Sequence, residues 1–220
     1  MNPVNEREFF IKEKNRNLME KHRLIGKKVI MTMARISKEE IKIGNKGYDR
    51  VFQALPEVLR EVPNAIYLLV GGGDYLAETR EKIKSLGLEK YVIMTGAISN
   101  EERIDYYNLC DVFILPSKKE GCPAIVLLEA MACGKPVITG NRECQKDDLL
   151  EGELGILIDP EDIGAIVDSL VGVLNGRYQK LLRGGALRQK TIEKYGFAQY
   201  RERMKKLITE LFPGAKPSVN

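Results

Sequence analysis

Short apolar runs alternate with longer stretches in which apolar residues recur every three or four positions. The runs are "KKVIMTMA" (27–34), "AIYLLVG" (65–71), "YVIMTG" (91–96), "DVFILPS" (111–117), "KPVITG" (135–140) and "LGILIDP" (154–160). They are apolar almost throughout rather than alternating, the pattern of strands buried on both faces of a parallel sheet. Between them, "YDRVFQALPEVLREV" (48–62) sets Val51, Leu55, Val58, Leu59 and Val62 on one helical face. "DYLAETREKIKSLG" (74–87) predicts a helix that Gly87 caps, and "AIVLLEAMACG" (124–134) one that Gly134 ends. "SNEERIDYYNLC" (99–110) opens on Ser99 with Glu102 three residues on, a capping box. Residues 5–24 are charged, with Phe9, Phe10, Leu18 and Met19 interspersed, and predict a surface helix ending near Gly26. Beyond Pro160 the pattern is helical to about residue 211, and the tail is expected to fray. The fold class is therefore α/β, a doubly wound, Rossmann-like parallel sheet with helices on both faces. Such sheets bind ligands beyond the C-terminal ends of their strands. That singles out the loops 34–47, 71–74, 96–100, 116–124 and 140–152.

Composition narrows the chemistry. The 220 residues fit one domain over 1–212 with a tail at 213–220. A net charge of +4, from 35 basic and 31 acidic residues, is too mild and too mixed for nucleic acid. Cysteines at 110, 122, 133 and 144 have no C-x2-C spacing, and His22 is the single histidine, so no metal site is expected. The cysteines lie in or beside apolar runs and read as reduced, small apolar residues. No apolar stretch approaches the roughly 20 residues of a membrane span. With a polar N-terminal segment besides, a soluble, cytoplasmic protein is expected.

The strand-end loops carry the candidate chemistry. Arg35 follows a strand, and Lys46-Gly47 precedes a helix whose N-terminal N–H groups and partial positive charge favour anions. Either the three build an anion site or they belong to a solvated basic loop, with Lys38 and Lys42 nearby. Gly71 opens "GGGD", where glycines permit close backbone approach to a ligand or simply a tight turn. No G-x-G-x-x-G follows a strand, which excludes the usual dinucleotide fingerprint and hence a typical dehydrogenase. Glu120 lies in the turn before the helix of 124–134. Glu129 lies within it, between Leu128 and Ala130. A carboxylate in such an apolar run needs donors if buried. They are either ligand hydroxyls in the crevice or water at the surface.

The segment "EGCPAIVLLEAMACGKPVI" (120–138) resembles the signature of the group 1 glycosyltransferases, the retaining family 4 enzymes with the GT-B fold. Two glutamates frame a turn and helix, and E-A-M-A-x-G-x-P-V-I follows. "NPVNEREFF", "MARIS", "NKGYDRVFQAL", "YLLVGGGD", "MTGAIS" and "CDVFILPS" are similar to further segments of that family's C-terminal domain, in the expected order. The resemblance spans residues 2–212. It implies a hexosyltransferase whose donor substrate is a nucleotide diphosphate sugar and which needs no cofactor. Arg35 and Lys46 would hold the diphosphate, and Ile98 would meet the nucleobase through its backbone. Glu120 would accept bonds from sugar hydroxyls and Glu129 from the ribose. Amides of the turn, drawn from Gly121, Cys122, Pro123, Ala124, Ile125 and Val126, would approach sugar and phosphate. Fixed cations and helix N-termini would stabilise the departing diphosphate without a metal, in keeping with the lack of a D-x-D-type motif in these loops.

The chain departs from the family pattern in three places. Glu120 and Glu129 stand nine apart, one residue more than usual, which leaves open which of Pro123 to Val126 presents the phosphate-facing amide. The loop from Arg35 to Lys46 is longer than usual. Ala34 stands where glycine commonly precedes the arginine. The family's N-terminal acceptor domain is not present, so the chain is expected to be inactive alone. Any contact with a membrane would come through that absent half. Two other readings compete: a non-catalytic nucleotide-sugar-binding module, and a GT-B nucleotide-sugar epimerase.

Overall fold

The computed structural model describes residues 2–43, 46–118, 124–142, 149, 152–178 and 184–212. Glu120, Gly121, Cys122 and Pro123 of the candidate turn, Cys144 and the tail 213–220 lie outside these residues.

Six parallel strands form one sheet: β1 (Lys28–Met33), β2 (Ala65–Val70), β3 (Val92–Gly96), β4 (Val112–Leu115), β5 (Val137–Gly140) and β6 (Ile156–Ile158). Their order is β3-β2-β1-β4-β5-β6. β1 pairs with β2 along its whole length, from Lys28 opposite Ala65 to Met33 opposite Val70, and pairs on its other side with β4 at Ile30 and Met31. The order of crossovers reverses between β1 and β4, and the loops leaving these two strands diverge to opposite faces of the sheet.

The continuous apolar runs are explained by burial on both faces. From β1, Val29, Met31 and Met33 enter one core, together with Leu68 of β2 and Phe113 of β4. Ile30 enters the other, with Tyr67, Leu69 and Ile114. The first core is closed by α5 (Arg103–Leu109), α6 (Ile125–Ala132) and α8 (Gly184–Tyr195). The second is closed by α3 (Tyr48–Glu61), α4 (Leu76–Ser85) and α7 (Ile163–Leu174). Two hydroxyls at the second core are paired: Tyr67 donates to Thr32 Oγ1 at 2.8 Å, and Thr32 donates to the Ile114 carbonyl. Cys110 and Cys133 are buried free thiols, each pushed up to about 12 by burial.

Three expectations need adjustment. The N-terminal segment is not one surface helix over 5–24. Only α1 (Arg16–Lys21) is helical there, capped by Asn15. Val4 and Phe9 are buried instead. Arg188 holds the segment by donating to the carbonyls of Glu6 and Phe9, and also to that of Ala132 at the end of α6. The loop after β1 contains a short helix, α2 (Lys38–Lys42). The capping box at Ser99 forms as read, with reciprocal bonds of 2.9 and 3.3 Å to Glu102, although regular helix begins only at Arg103. The helical stretch predicted to about residue 211 ends in α9 (Phe197–Leu211), which runs along the surface and buries no residue.

Candidate functional site

The strand-end loops are tied together by backbone. Gly47 caps the start of α3 with φ +70°, and a Cβ built there would lie 2.1 Å from the Pro116 carbonyl oxygen. Only glycine fits both the left-handed conformation and this approach. The Lys46-Gly47 corner is thereby seated against the first residues beyond β4, with Lys46 half-buried beside it. Arg50, one turn into α3, is 8% exposed and donates to the same Pro116 carbonyl at 3.2 Å. Arg35 is exposed at the other end of the loop.

On the β2 side, Gly71 has φ +139°, and a Cβ there would lie 1.9 Å from the Ala34 carbonyl oxygen. Its N–H donates to Gly96 at 3.0 Å, and Ile36 N–H donates to Gly72 at 2.9 Å. The glycine run thus draws the ends of β1, β2 and β3 into one continuous floor. Ile98, on the loop beyond β3, is half-buried and packs against the core beneath. Of the two alternatives for Gly71, the structure shows the tight turn, which brings the backbone of three loops together.

α6 begins beyond β4, at the reversal of the sheet. Ala124 is its N-cap, with extended backbone and no side-chain cap, and the first turn holds no acidic residue. The opening N–H groups of a helix have no carbonyl of their own helix to bond, which leaves this terminus suited to an anion. Ile125 is 45% exposed at the rim, while Val126 packs inward. Lys118 and Arg142, leaving β4 and β5, are ion-paired with acids beyond β6. Lys118 reaches Glu161 at 2.6 Å, and Arg142 lies 3.2 Å from both Asp159 and Glu161. These bonds hold both carboxyls below the ordinary carboxylate range, Asp159 chiefly through the Glu161 N–H and Glu161 chiefly through Lys118.

Glu129 stands one turn inside α6 and is 3% exposed. The expectation that its carboxylate needs donors holds, and the chain itself supplies two. Arg103, first residue of α5, forms an ion pair with Oε2, and Tyr107 donates to the same oxygen at 2.7 Å. Burial pushes the Glu129 carboxyl above its ordinary value, and the Tyr107 and Arg103 bonds act against that shift. Phe9 roofs the pair, with Arg103 over its ring at 5.3 Å and Tyr107 meeting it edge-on at 5.8 Å.

Arg35, Lys46, Gly71, Ile98, Ala124, Ile125, Val126 and Glu129 therefore all lie on the loops and helix starts at one edge of the sheet. Sequence reasoning missed Arg50, Arg103 and Tyr107. Arg50 carries a signal of its own, a cation on the buried face of an amphipathic helix. Among the described residues no group of three or more His, Cys, Asp or Glu is placed to hold a metal ion. No helix among them is long and apolar enough to cross a membrane.

A six-stranded parallel sheet with helices on both faces and a reversal of crossovers between β1 and β4 defines a doubly wound, Rossmann-like α/β domain. The family model "Glycosyl transferases group 1" matches residues 14–194, and the chain belongs to this family. It is 30% identical over 198 residues to a GDP-mannose-dependent alpha-(1-6)-phosphatidylinositol monomannoside mannosyltransferase of Mycolicibacterium smegmatis, covering 87% of this chain and 50% of that protein. Among solved structures, sucrose-phosphate synthase from Thermosynechococcus elongatus superposes with a TM-score of 0.78 at 23% identity, covering 97% of this chain and 52% of the other. HepE of Anabaena, in complex with UDP and glucose, gives 0.78 at 18% identity, covering 94% and 55%. These neighbours share the GT-B, Rossmann-like fold. The chain spans about half the length of the curated relatives it matches.

Proposed function

We propose that this chain is the donor-binding half of a retaining glycosyltransferase that moves a hexose from a nucleotide diphosphate sugar to an acceptor hydroxyl. The observation that carries the reading is the Lys46-Gly47 corner seated on Pro116, at the end of the strand that leads into α6. The starts of α3 and α6, with Lys46 and Arg50, all lie beyond the C-terminal ends of β1 and β4, where this reading puts the diphosphate.

In this reading Arg35 and Lys46 hold the diphosphate, and the first amides of α6, from Ala124 to Val126 with Gly121 to Pro123 before them, complete its cradle. The backbone at Ile98 meets the base, Gly71 lets the donor approach the floor closely, Glu129 binds the ribose and Glu120 the sugar hydroxyls. When the bond from the anomeric carbon to the diphosphate oxygen breaks, negative charge grows on the leaving group. Fixed cations and oriented N–H dipoles lower the energy of that charge without reorganising. They do so without a metal ion. The acceptor and the groups that orient it belong to the N-terminal half of a GT-B enzyme, so the 220-residue chain alone binds donor and transfers nothing. We place the protein in the cytoplasm, where nucleotide sugars are available. Any peripheral membrane contact would come through the acceptor half.

The mannosyltransferase relative is named for GDP-mannose, whereas HepE was solved with UDP. Titration calorimetry with GDP, UDP and ADP therefore comes first. Lys46→Ala and Arg35→Ala should each weaken the preferred diphosphate at least several-fold, charge-assisted bonds being worth about 1.5–3 kcal/mol. Binding should persist in EDTA. Unchanged affinity in both variants, or strict dependence on a divalent cation, would overturn the assignment.

A further inference from the structure

The ion pair between Arg103 and Glu129 joins two places that the proposed site keeps apart. Glu129 lies one turn behind the phosphate-facing start of α6. Arg103 opens α5 directly after the loop that carries Ile98, the proposed base contact. The ribose is the part of a nucleotide between base and phosphate, so this pair stands where the ribose would lie. Glu129 is nearly closed off, with its side chain 4% exposed, while Arg103 keeps 25%. Both hydrogen bonds that the carboxylate accepts, from Arg103 and from Tyr107, end on the same oxygen, Oε2. An ionised carboxylate has about four acceptor sites over two oxygens. The second oxygen, Oε1, keeps its acceptor capacity.

We propose that Arg103, together with Tyr107, is a positioning residue for nucleotide binding: anchoring Oε2 of Glu129 turns Oε1 toward the vicinal hydroxyls of the donor ribose. This rests on the ribose role proposed for Glu129. The roof formed by Phe9 makes the anchor rigid, since that ring packs on the guanidinium and on the Tyr107 ring at once. A long cation free to rotate would not fix the carboxylate plane, whereas a planar guanidinium held on an aromatic face does. The charged and titratable groups that bear on Glu129 are Arg103 and Tyr107 from α5 and Glu8 from the N-terminal segment. Burial and Glu8 favour the protonated acid, and Arg103 and Tyr107 oppose them. Without Arg103, the carboxyl would take up its proton at higher pH, and hydroxyl binding would fade as the solution is acidified.

The test compares each of GDP and UDP with its 2′-deoxy counterpart by calorimetry, at pH 7.5 and 5.5. The unaltered protein should prefer the ribonucleotide about tenfold, with little change between the two pH values. Glu129→Gln should bring the preference close to one. Arg103→Gln should do the same, and its remaining ribonucleotide affinity should fall between pH 7.5 and 5.5. Arg103→Lys, which restores charge without the fork, should recover the flat pH profile more than the preference. If Arg103→Gln keeps the full preference and a flat profile while Glu129→Gln loses the preference, the positioning role is wrong and the ribose role stands. If Glu129→Gln keeps the preference, both are wrong. Should Arg103→Gln fail to fold, Tyr107→Phe decides: it removes the second donor but leaves the ring on Phe9, and an unchanged preference in it overturns the anchor.

Discussion

At the scale of single residues, what mattered was geometry that a residue type alone does not reveal. Lys46 and Arg35 were legible as cations in a strand-end loop, but not that Gly47 presses its backbone onto Pro116. That contact makes Gly47 one of the constrained glycines near the site, with Gly71. Gly47→Ala would place a Cβ 2.1 Å from a carbonyl oxygen in a left-handed conformation, so something must shift. The cost should be about 1–3 kcal/mol, seen as several degrees in a thermal melt. Diphosphate affinity should fall with it, because the displaced corner carries Lys46. A variant as stable as the unaltered protein would show that the corner tolerates movement. His22 gives a second residue-scale result. Its Nε2 lies 3.0 Å from the Tyr106 hydroxyl, and burial, helped by the neighbouring charge of Lys21, lowers its pKa below the ordinary 6.5. The unfolded chain then binds the proton more readily than the folded one, so this contribution to stability is fully present above about pH 6.5 and declines below it. The melting temperature should drop between pH 7.5 and 5.5, and less so in His22→Gln. Because the chain has one histidine, its imidazole resonance can be followed directly, and a midpoint at or above 6.5 would remove the effect.

At the scale of elements, the strands were the most legible part of the chain. Burial on both faces leaves a continuous apolar run, and all six appear within a residue or two of where the runs fall. The N-terminal segment was misread for a physical reason. Its structure is set by partners far along the chain: the Tyr195 carbonyl, which accepts from Val4 N–H at 2.8 Å, and Arg188, which grips Glu6 and Phe9. Local periodicity carries no trace of such contacts. Glu129 was half legible. Its need for donors follows from the apolar helix around it, whereas Arg103 sits 26 residues earlier on another helix and stayed invisible. The additional residue between Glu120 and Glu129 lies between Cys122 and Leu128, and Glu120 itself is outside the described residues, so its effect is an experimental question at the level of α6. Glu129 is fixed by the helix register and by α5, while Glu120 depends on the turn. Glu129→Gln should therefore weaken bare diphosphate and sugar conjugate alike. Glu120→Gln should leave the diphosphate nearly untouched and weaken only the conjugate. Equal losses for the bare diphosphate would dissolve that division of roles. No effect of Glu120→Gln on either ligand would mean the additional residue has carried Glu120 out of the site.

At the scale of the whole molecule, stability and surface separate cleanly. The two cores end at α8, where Leu187 and Tyr195 are fully buried. α9 follows Gly196 and lays an apolar stripe along its exposed side, including Met204, Leu207, Ile208 and Leu211, with Leu207 at 45% exposure. Arg201, Arg203 and Lys205 flank that stripe on a helical projection. An amphipathic helix draws most of its stability in a folded protein from burying its apolar face, and in this chain α9 leaves that face open. It should then contribute little to the cooperative unit formed by the sheet and α3 to α8. Leu207→Glu replaces an exposed apolar residue with a charged one on the open stripe. Surface changes of this kind stay within about 0.5 kcal/mol, or roughly 2 °C for a domain of this size. Leu187→Ala, one helix earlier, removes fully buried methyl groups and should cost about 2–5 kcal/mol. Thermal melts of the two variants side by side give the comparison. A loss in Leu207→Glu approaching that of Leu187→Ala would mean that α9 packs its apolar stripe against the protein in solution, and that the cooperative unit extends to the end of the described chain.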